Sequence, residues 1–120
     1  MKLLTITTWN HKLYREYAHK FESTYNWEWP YTVYNEDDGM FESIPDLKKF
    51  VDRNKDRPIG NKGFLLDGVR FSYKVYAQND SRKYADYIFY IDSDTEFKNQ
   101  IPELWFQECL PSDIFISIFD

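Results

Sequence analysis

Short runs of β-branched and aromatic residues alternate along this chain with segments of helical periodicity. That alternation restricts the fold more than any other feature. KLLTITTW (2–9) reads as a buried strand, YTVYN (31–35) as a second, DYIFYID (86–92) as the strongest and DIFISIF (113–119) as a last one. Between the first two, HKLYREYAHKFESTYN (11–26) spaces Leu13, Tyr17 and Phe21 four residues apart, with Tyr14 and Ala18 beside them. That is one apolar face of a helix, and Asn10 is its expected N-cap. Pro30 breaks the pattern, and EDDG (36–39) reads as a turn. Ser43 to Asn54 predicts a helix with Ser43 as N-cap, Pro45 and Asp46 in the first turn, and Leu47, Phe50 and Val51 facing inward. RNKDRPIGNKG (53–63) reads as a polar loop, and helices are expected again over 65–80 and 101–110. Strands alternating with helices predict an α/β layer architecture with a mostly parallel sheet and right-handed crossovers.

A length of 120 residues fits a single domain, 1–120, and 42% hydrophobic residues suffice for its core. The 20% aromatic content is assigned mainly to core packing. A net charge of −5 argues against general binding to a nucleic-acid backbone, which needs a dominant basic face. The one cysteine, Cys109, excludes an internal disulfide and suits a reducing compartment. It sits in the apolar stretch LWFQECL, where burial is expected. MKLLTITTW does not read as a signal peptide and no run reaches the length of a membrane span, so a cytoplasmic location is expected.

In parallel sheets, ligands collect at the carboxyl ends of the strands. Three polar clusters fall at such ends: Thr7-Thr8-Trp9-Asn10, Glu36-Asp37-Asp38 and Asp92-Ser93-Asp94. On an extended segment Asp92 and Asp94 point to the same side and repel unless a cation bridges them or one is protonated. Hard divalent ions favour such oxygen sites, completed by phosphates and water. The plain alternative is a solvated turn in which Asp94 caps the next segment. DSDT also fits the Asp-x-Asp-x-Thr start of haloacid-dehalogenase-like phosphatases, whose first Asp is a nucleophile. That motif belongs on a first strand with Lys and acidic residues well downstream, which this order does not provide. Arg70 and Lys74, one helical turn apart, share a face and are suited to a diphosphate, or else form a solvated face paired with Asp67 or Asp80. Arg53, Lys55, Arg57 and Lys62 read as a solvated loop that Gly60 and Gly63 would let move over a ligand. His11 and His19 read as surface residues.

TITTWNHKLYREYAHKF, YTVYNEDD, DGVRFSYKVYA and DYIFYIDSDT together resemble the nucleotide-binding half of a GT-A-type glycosyltransferase of phage or bacterial type. The resemblance spans most of the chain. It implies a Rossmann-like three-layer domain, a nucleotide-sugar donor, and Mn²⁺ or Mg²⁺ held by the DxD aspartates, Asp92 and Asp94. It also implies that Thr7 and Thr8 lie by the nucleoside, Glu36 or Asp37 by the base or ribose, and Arg70 and Lys74 by the phosphates or the sugar. Such enzymes usually continue well past the DxD to supply the acceptor site, whereas this sequence ends at Asp120. Two functions are therefore expected as alternatives. One is glycosyl transfer, by a minimal enzyme or by one completed by a second copy or a partner protein. The other is a non-catalytic, truncated module that binds a nucleotide or a protein, as a phage inhibitor of a host system would. For the second, YNWEWPY (25–31) is a candidate interface.

Overall fold

A computed structural model of the chain describes residues 2–54 and 62–109. It is a mixed α/β structure built on a three-stranded parallel sheet of order β2-β1-β3, formed by β1 (Leu3–Trp9), β2 (Tyr31–Asn35) and β3 (Tyr87–Tyr90). β1 lies in the middle. Thr5 pairs with Tyr31 on one side and with Phe89 on the other, and Trp9 reaches Asn35 at the far end of β2. All seven β1 residues are buried, as the near-continuous apolar and β-branched run requires of a central parallel strand.

The side-chain alternation of β1 builds a separate core on each face. Leu4 and Ile6 pack with Tyr34, Met40, Leu47, Val51 and Ala77, which come from β2, α3 (Met40–Ser43), α4 (Pro45–Asn54) and α5 (Lys62–Ser81). On the opposite face Trp9 packs with Ala18 and Phe21, from the helical segment that joins β1 to β2. Leu3 lies beside Trp29 on that same side of the alternation. Phe21 is fully buried and meets Trp9, Tyr31 and Phe97 edge-on, at ring-centroid distances of 6.1, 5.7 and 4.9 Å. The aromatic content thus goes mainly into the core.

Thr5 ties the aromatic side to the sheet. Its Oγ1 accepts from Trp29 Nε1 at 2.9 Å and lies 3.0 Å from Tyr25 Oη, which itself donates to the Trp29 carbonyl at 2.9 Å. Burial pushes the Tyr25 hydroxyl up to about 12, so this network stays neutral through the physiological range.

Several boundaries differ from the sequence expectation, each for a local reason. Asn10 caps as expected, its Oδ1 accepting from Leu13 N–H at 2.8 Å. The following helix is not uniform. α1 (His11–Leu13) passes into a π-helical stretch (Tyr14–Ala18) before α2 (His19–Thr24) resumes the α form. The His19 N–H bonds the Tyr14 carbonyl, the i→i+5 step that defines the π turn. Ser43 is not an N-cap. The helical turn starts earlier, after Gly39 at φ +89°, and Ser43 closes α3. Ile44, held out of the α region before Pro45, separates α3 from α4. The polar loop expected over 53–63 is narrower, since Arg53 and Asn54 belong to α4 and Lys62 and Gly63 to α5. β3 stops at Tyr90, short of Asp92, because the chain turns there and Thr95 N–H bonds the Asp92 carbonyl. The last helix, α6, spans Glu103–Cys109. The expected strand 113–119, the Cys109 side chain, and Lys55, Arg57 and Gly60 lie outside the described residues. Among the described residues no helix is long and apolar enough to cross a membrane.

Thr5→Val keeps the shape and burial of the side chain and removes the oxygen that accepts from Trp29. It should lower the unfolding free energy by about 1–3 kcal/mol in urea titration. An unchanged midpoint would show that this buried network does not stabilise the fold.

Candidate functional site

The chain leaves β1 toward β2 on one side and returns across β1 to reach β3 on the other. The carboxyl ends of β1 and β3 therefore sit where the strand order reverses, and the connections diverge to opposite faces. A crevice at such a point is a consequence of parallel topology. Here it is a cleft of about 540 Å³. Thr8, Tyr90, Asp92, Ser93 and Asp94 come from the strand ends, Asn10, Lys12, Leu13 and Tyr17 from the first helical segment, Glu36 from the end of β2, and Arg70, Phe71 and Lys74 from α5.

Six of the eight residues expected at a site are brought together: Thr8, Glu36, Arg70, Lys74, Asp92 and Asp94. The other two are placed elsewhere. Thr7 faces away from Thr8 by the strand alternation, is fully buried, and its Oγ1 has no hydrogen-bond partner among the described residues. Asp37 lies at the start of the first helical segment. Its Oδ2 accepts from the His11 N–H at 2.8 Å and is 3.7 Å from His11 Nδ1, so it satisfies an amide that the helix itself leaves open. His11 and His19 are exposed, as expected of surface residues.

Asp92 and Asp94 lie in a turn and not on an extended segment, which corrects the geometry assumed from spacing. They nevertheless alternate with a buried residue. Ser93 points inward at 6% exposure, and both aspartates are exposed toward the cleft. Asp92 Oδ1 accepts from Lys74 Nζ at 2.7 Å. Lys74 therefore pairs across the cleft and not with Asp80, while the Asp67 side chain lies outside those described. Asp80 instead accepts from Tyr34 Oη and pairs with Lys83. The Lys74 ammonium also lies 5.6 Å from the centroid of the Tyr90 ring and 5.1 Å from that of Phe71. At the floor, Tyr90 Oη is 3.3 Å from Thr8 Oγ1, and burial raises its pKa far above the ordinary tyrosine range.

Glu36 is the inner carboxylate. Its backbone N–H bonds the Trp9 carbonyl at 2.8 Å, which fixes it beside the end of β1. Burial, and secondarily the neighbouring Asp37, push its pKa up, while Arg70 and Lys74 pull it down by less. The cleft thus holds three carboxylates (Glu36, Asp92, Asp94) against three cations (Lys12, Arg70, Lys74) and is close to neutral. Neither a lone cation nor a lone anion meets a strong net field there, whereas a cation and a polyanion entering together leave the balance intact.

Asp92 and Asp94 could hold a metal only in a site that a ligand completes. Among the described residues no group of three or more His, Cys, Asp or Glu side chains is arranged to hold a metal. A site completed by a ligand needs fewer. Mg²⁺ and Mn²⁺ are commonly held by one or two carboxylates plus substrate phosphates and water, which Asp92 and Asp94 can supply.

Lys12, Leu13, Tyr17, Phe71 and Tyr90 line the cleft without having been expected there, whereas Asn10 belongs to the polar cluster expected at the end of the first strand. Tyr17 was legible only as part of an apolar helical face, and the π turn alters its direction. Phe71 lies next to Arg70 and three residues before Lys74, a spacing that marks a shared surface. The chain matches no protein-family model, no curated protein and no solved structure.

The raised pKa of Glu36 has a definite sign. The unfolded chain ionises this group at lower pH than the folded one, so its contribution to stability is full below the ordinary glutamate range. That contribution is lost as pH rises through the raised value. Glu36→Gln should raise the thermal midpoint at pH 7 and leave it nearly unchanged at pH 4. A lower midpoint at pH 7 would show that ionised Glu36 is a net stabilising partner of Arg70 and Lys74.

Proposed function

We propose that the cleft between the ends of β1 and β3 binds the diphosphate of a nucleotide sugar together with Mn²⁺ or Mg²⁺, and that the protein is a glycosyltransferase-like domain of GT-A, Rossmann-like type. One observation carries this reading. Asp92 and Asp94 converge with Arg70 and Lys74 on a single near-neutral cleft at the point where the strand order reverses. Two carboxylates suit a hard cation, and two basic side chains suit phosphate oxygens. Open parallel sheets bind such ligands at this location.

Asp92 and Asp94 would hold the ion, with Lys74 released from Asp92 toward the phosphates. Arg70 is placed beside it on the same helix face. Thr8 supplies a hydroxyl at the cleft floor, and Glu36, fixed at the end of β2, faces the ligand from the inner side. When bound, the ion supplies Lewis-acid stabilisation of the leaving diphosphate. The protein's own part is to orient the phosphates and to keep the charges of the cleft balanced as the ligand enters.

Thermal-shift measurements with UDP-, GDP- and CDP-sugars, each with and without Mn²⁺, test this reading. For the donor it accepts, the protein should be stabilised by several degrees with sugar nucleotide and Mn²⁺ together and much less with either alone. Asp92→Ala and Asp94→Ala should abolish that gain. Stabilisation of equal size without metal, or undiminished in both variants, would contradict the metal role. No gain with any donor would reject donor binding. Donor hydrolysis followed in the same samples separates turnover from binding alone.

A further inference from the structure

Phe71 is the one described phenylalanine side chain left substantially in water, with 59% of its surface exposed. The others are buried or half-buried. Its position is not an accident of a loop. α5 brings Arg70, Phe71 and Lys74 to one side of the cleft, and the Phe71 ring lines the same space as Asp92 and Asp94. The Lys74 ammonium stands between ring and carboxylate, 5.1 Å from the Phe71 centroid and 2.7 Å from Asp92 Oδ1. The aromatic face and the phosphate-binding groups are therefore within the reach of one small molecule. An aromatic ring left mostly in water beside two cations matches a ligand with a planar ring at one end and negative charge at the other. Across the cleft the π-helical stretch presents Tyr17, so the groove offers aromatic surface from both α5 and the first helical segment.

We infer that Phe71 stacks on the nucleobase of the ligand, making the cleft a nucleotide site and not merely a diphosphate site; the inference rests on the diphosphate reading above. Stacking is tolerant of base identity, because every base presents a π face. Phe71 then contributes affinity for the nucleoside, while contacts deeper in the cleft choose among bases.

Calorimetric titration of the full chain with UDP, GDP, CDP, ADP and inorganic pyrophosphate, all with Mn²⁺, tests the inference. Phe71 is exposed, so Phe71→Ala should leave the thermal midpoint close to that of the unmodified protein. That variant should bind the preferred nucleoside diphosphate roughly tenfold more weakly. Its affinity for pyrophosphate should not change, and Phe71→Trp should restore nucleoside diphosphate binding. An unchanged nucleoside diphosphate affinity in Phe71→Ala, or an equal loss for pyrophosphate, would overturn the stacking role while leaving the diphosphate site standing. A loss seen with UDP-glucose but not with UDP would overturn it too, by placing the ring against the sugar. If the unmodified protein binds neither pyrophosphate nor any nucleoside diphosphate, the diphosphate reading falls and takes this inference with it.

Discussion

β1 is buried on both faces and paired along both edges, and the rest of the structure follows from that constraint. A strand with no solvent-facing side must be covered by a layer on each face, and the chain supplies them in turn. The first helical segment and the aromatic residues of the β1–β2 connection cover one face; α3, α4 and α5 cover the other. Even its end residues, Leu3 and Trp9, are buried. At the carboxyl end Trp9 remains buried while Asn10 caps a helix, so the side chains free to meet a ligand are those that surround this exit. The location of the cleft is thus a result of burying β1, and its chemistry is a result of which residues end β2 and β3 and line α5.

The electrostatics of the cleft continue the same logic. Glu36, partly buried, is held with its pKa raised, and Asp92 is neutralised by a lysine from the opposite wall. The Lys74–Asp92 pair is partly exposed to solvent, and pairs of that kind contribute little to stability, of order 1 kcal/mol or less. Its value is of a different sort. An ion pair that costs little to open can exchange its partners for a metal ion and a phosphate, whereas a buried pair could not do so without a large penalty.

Much of this was legible in the sequence. The strand Tyr31–Asn35 was read with its observed bounds, because Pro30 and the EDDG turn fence it on both sides. The gathering of Thr8, Glu36, Asp92 and Asp94 was also legible, since parallel sheets gather the carboxyl ends of their strands, whereas Arg70 and Lys74 join them from within α5. What failed has physical causes. The spacing of Leu13, Tyr17 and Phe21 is the same whether or not a π turn intervenes, so the register change was invisible. Period-two alternation separates Thr7 from Thr8, yet sequence does not say which of the two faces the cleft. Asp37 reads as a ligand-type residue but serves the His11 amide, and that partnership forms only when β2 lies beside β1. The start of α3 depends on Gly39 adopting a positive φ, which the later Ser-x-Pro pattern obscured.

The proposed function requires that the cleft at the ends of β1 and β3 receive a metal-bound diphosphate. Amide chemical-shift mapping with Mg²⁺ and inorganic pyrophosphate, added separately and then together, tests it most directly. The account predicts that the combined addition perturbs Thr8, Asn10, Glu36, Arg70, Lys74 and the Asp92–Thr95 turn, with much smaller changes from either alone. Perturbations absent from these residues, or confined to the basic surface around Asn79, Arg82 and Lys83, would contradict it.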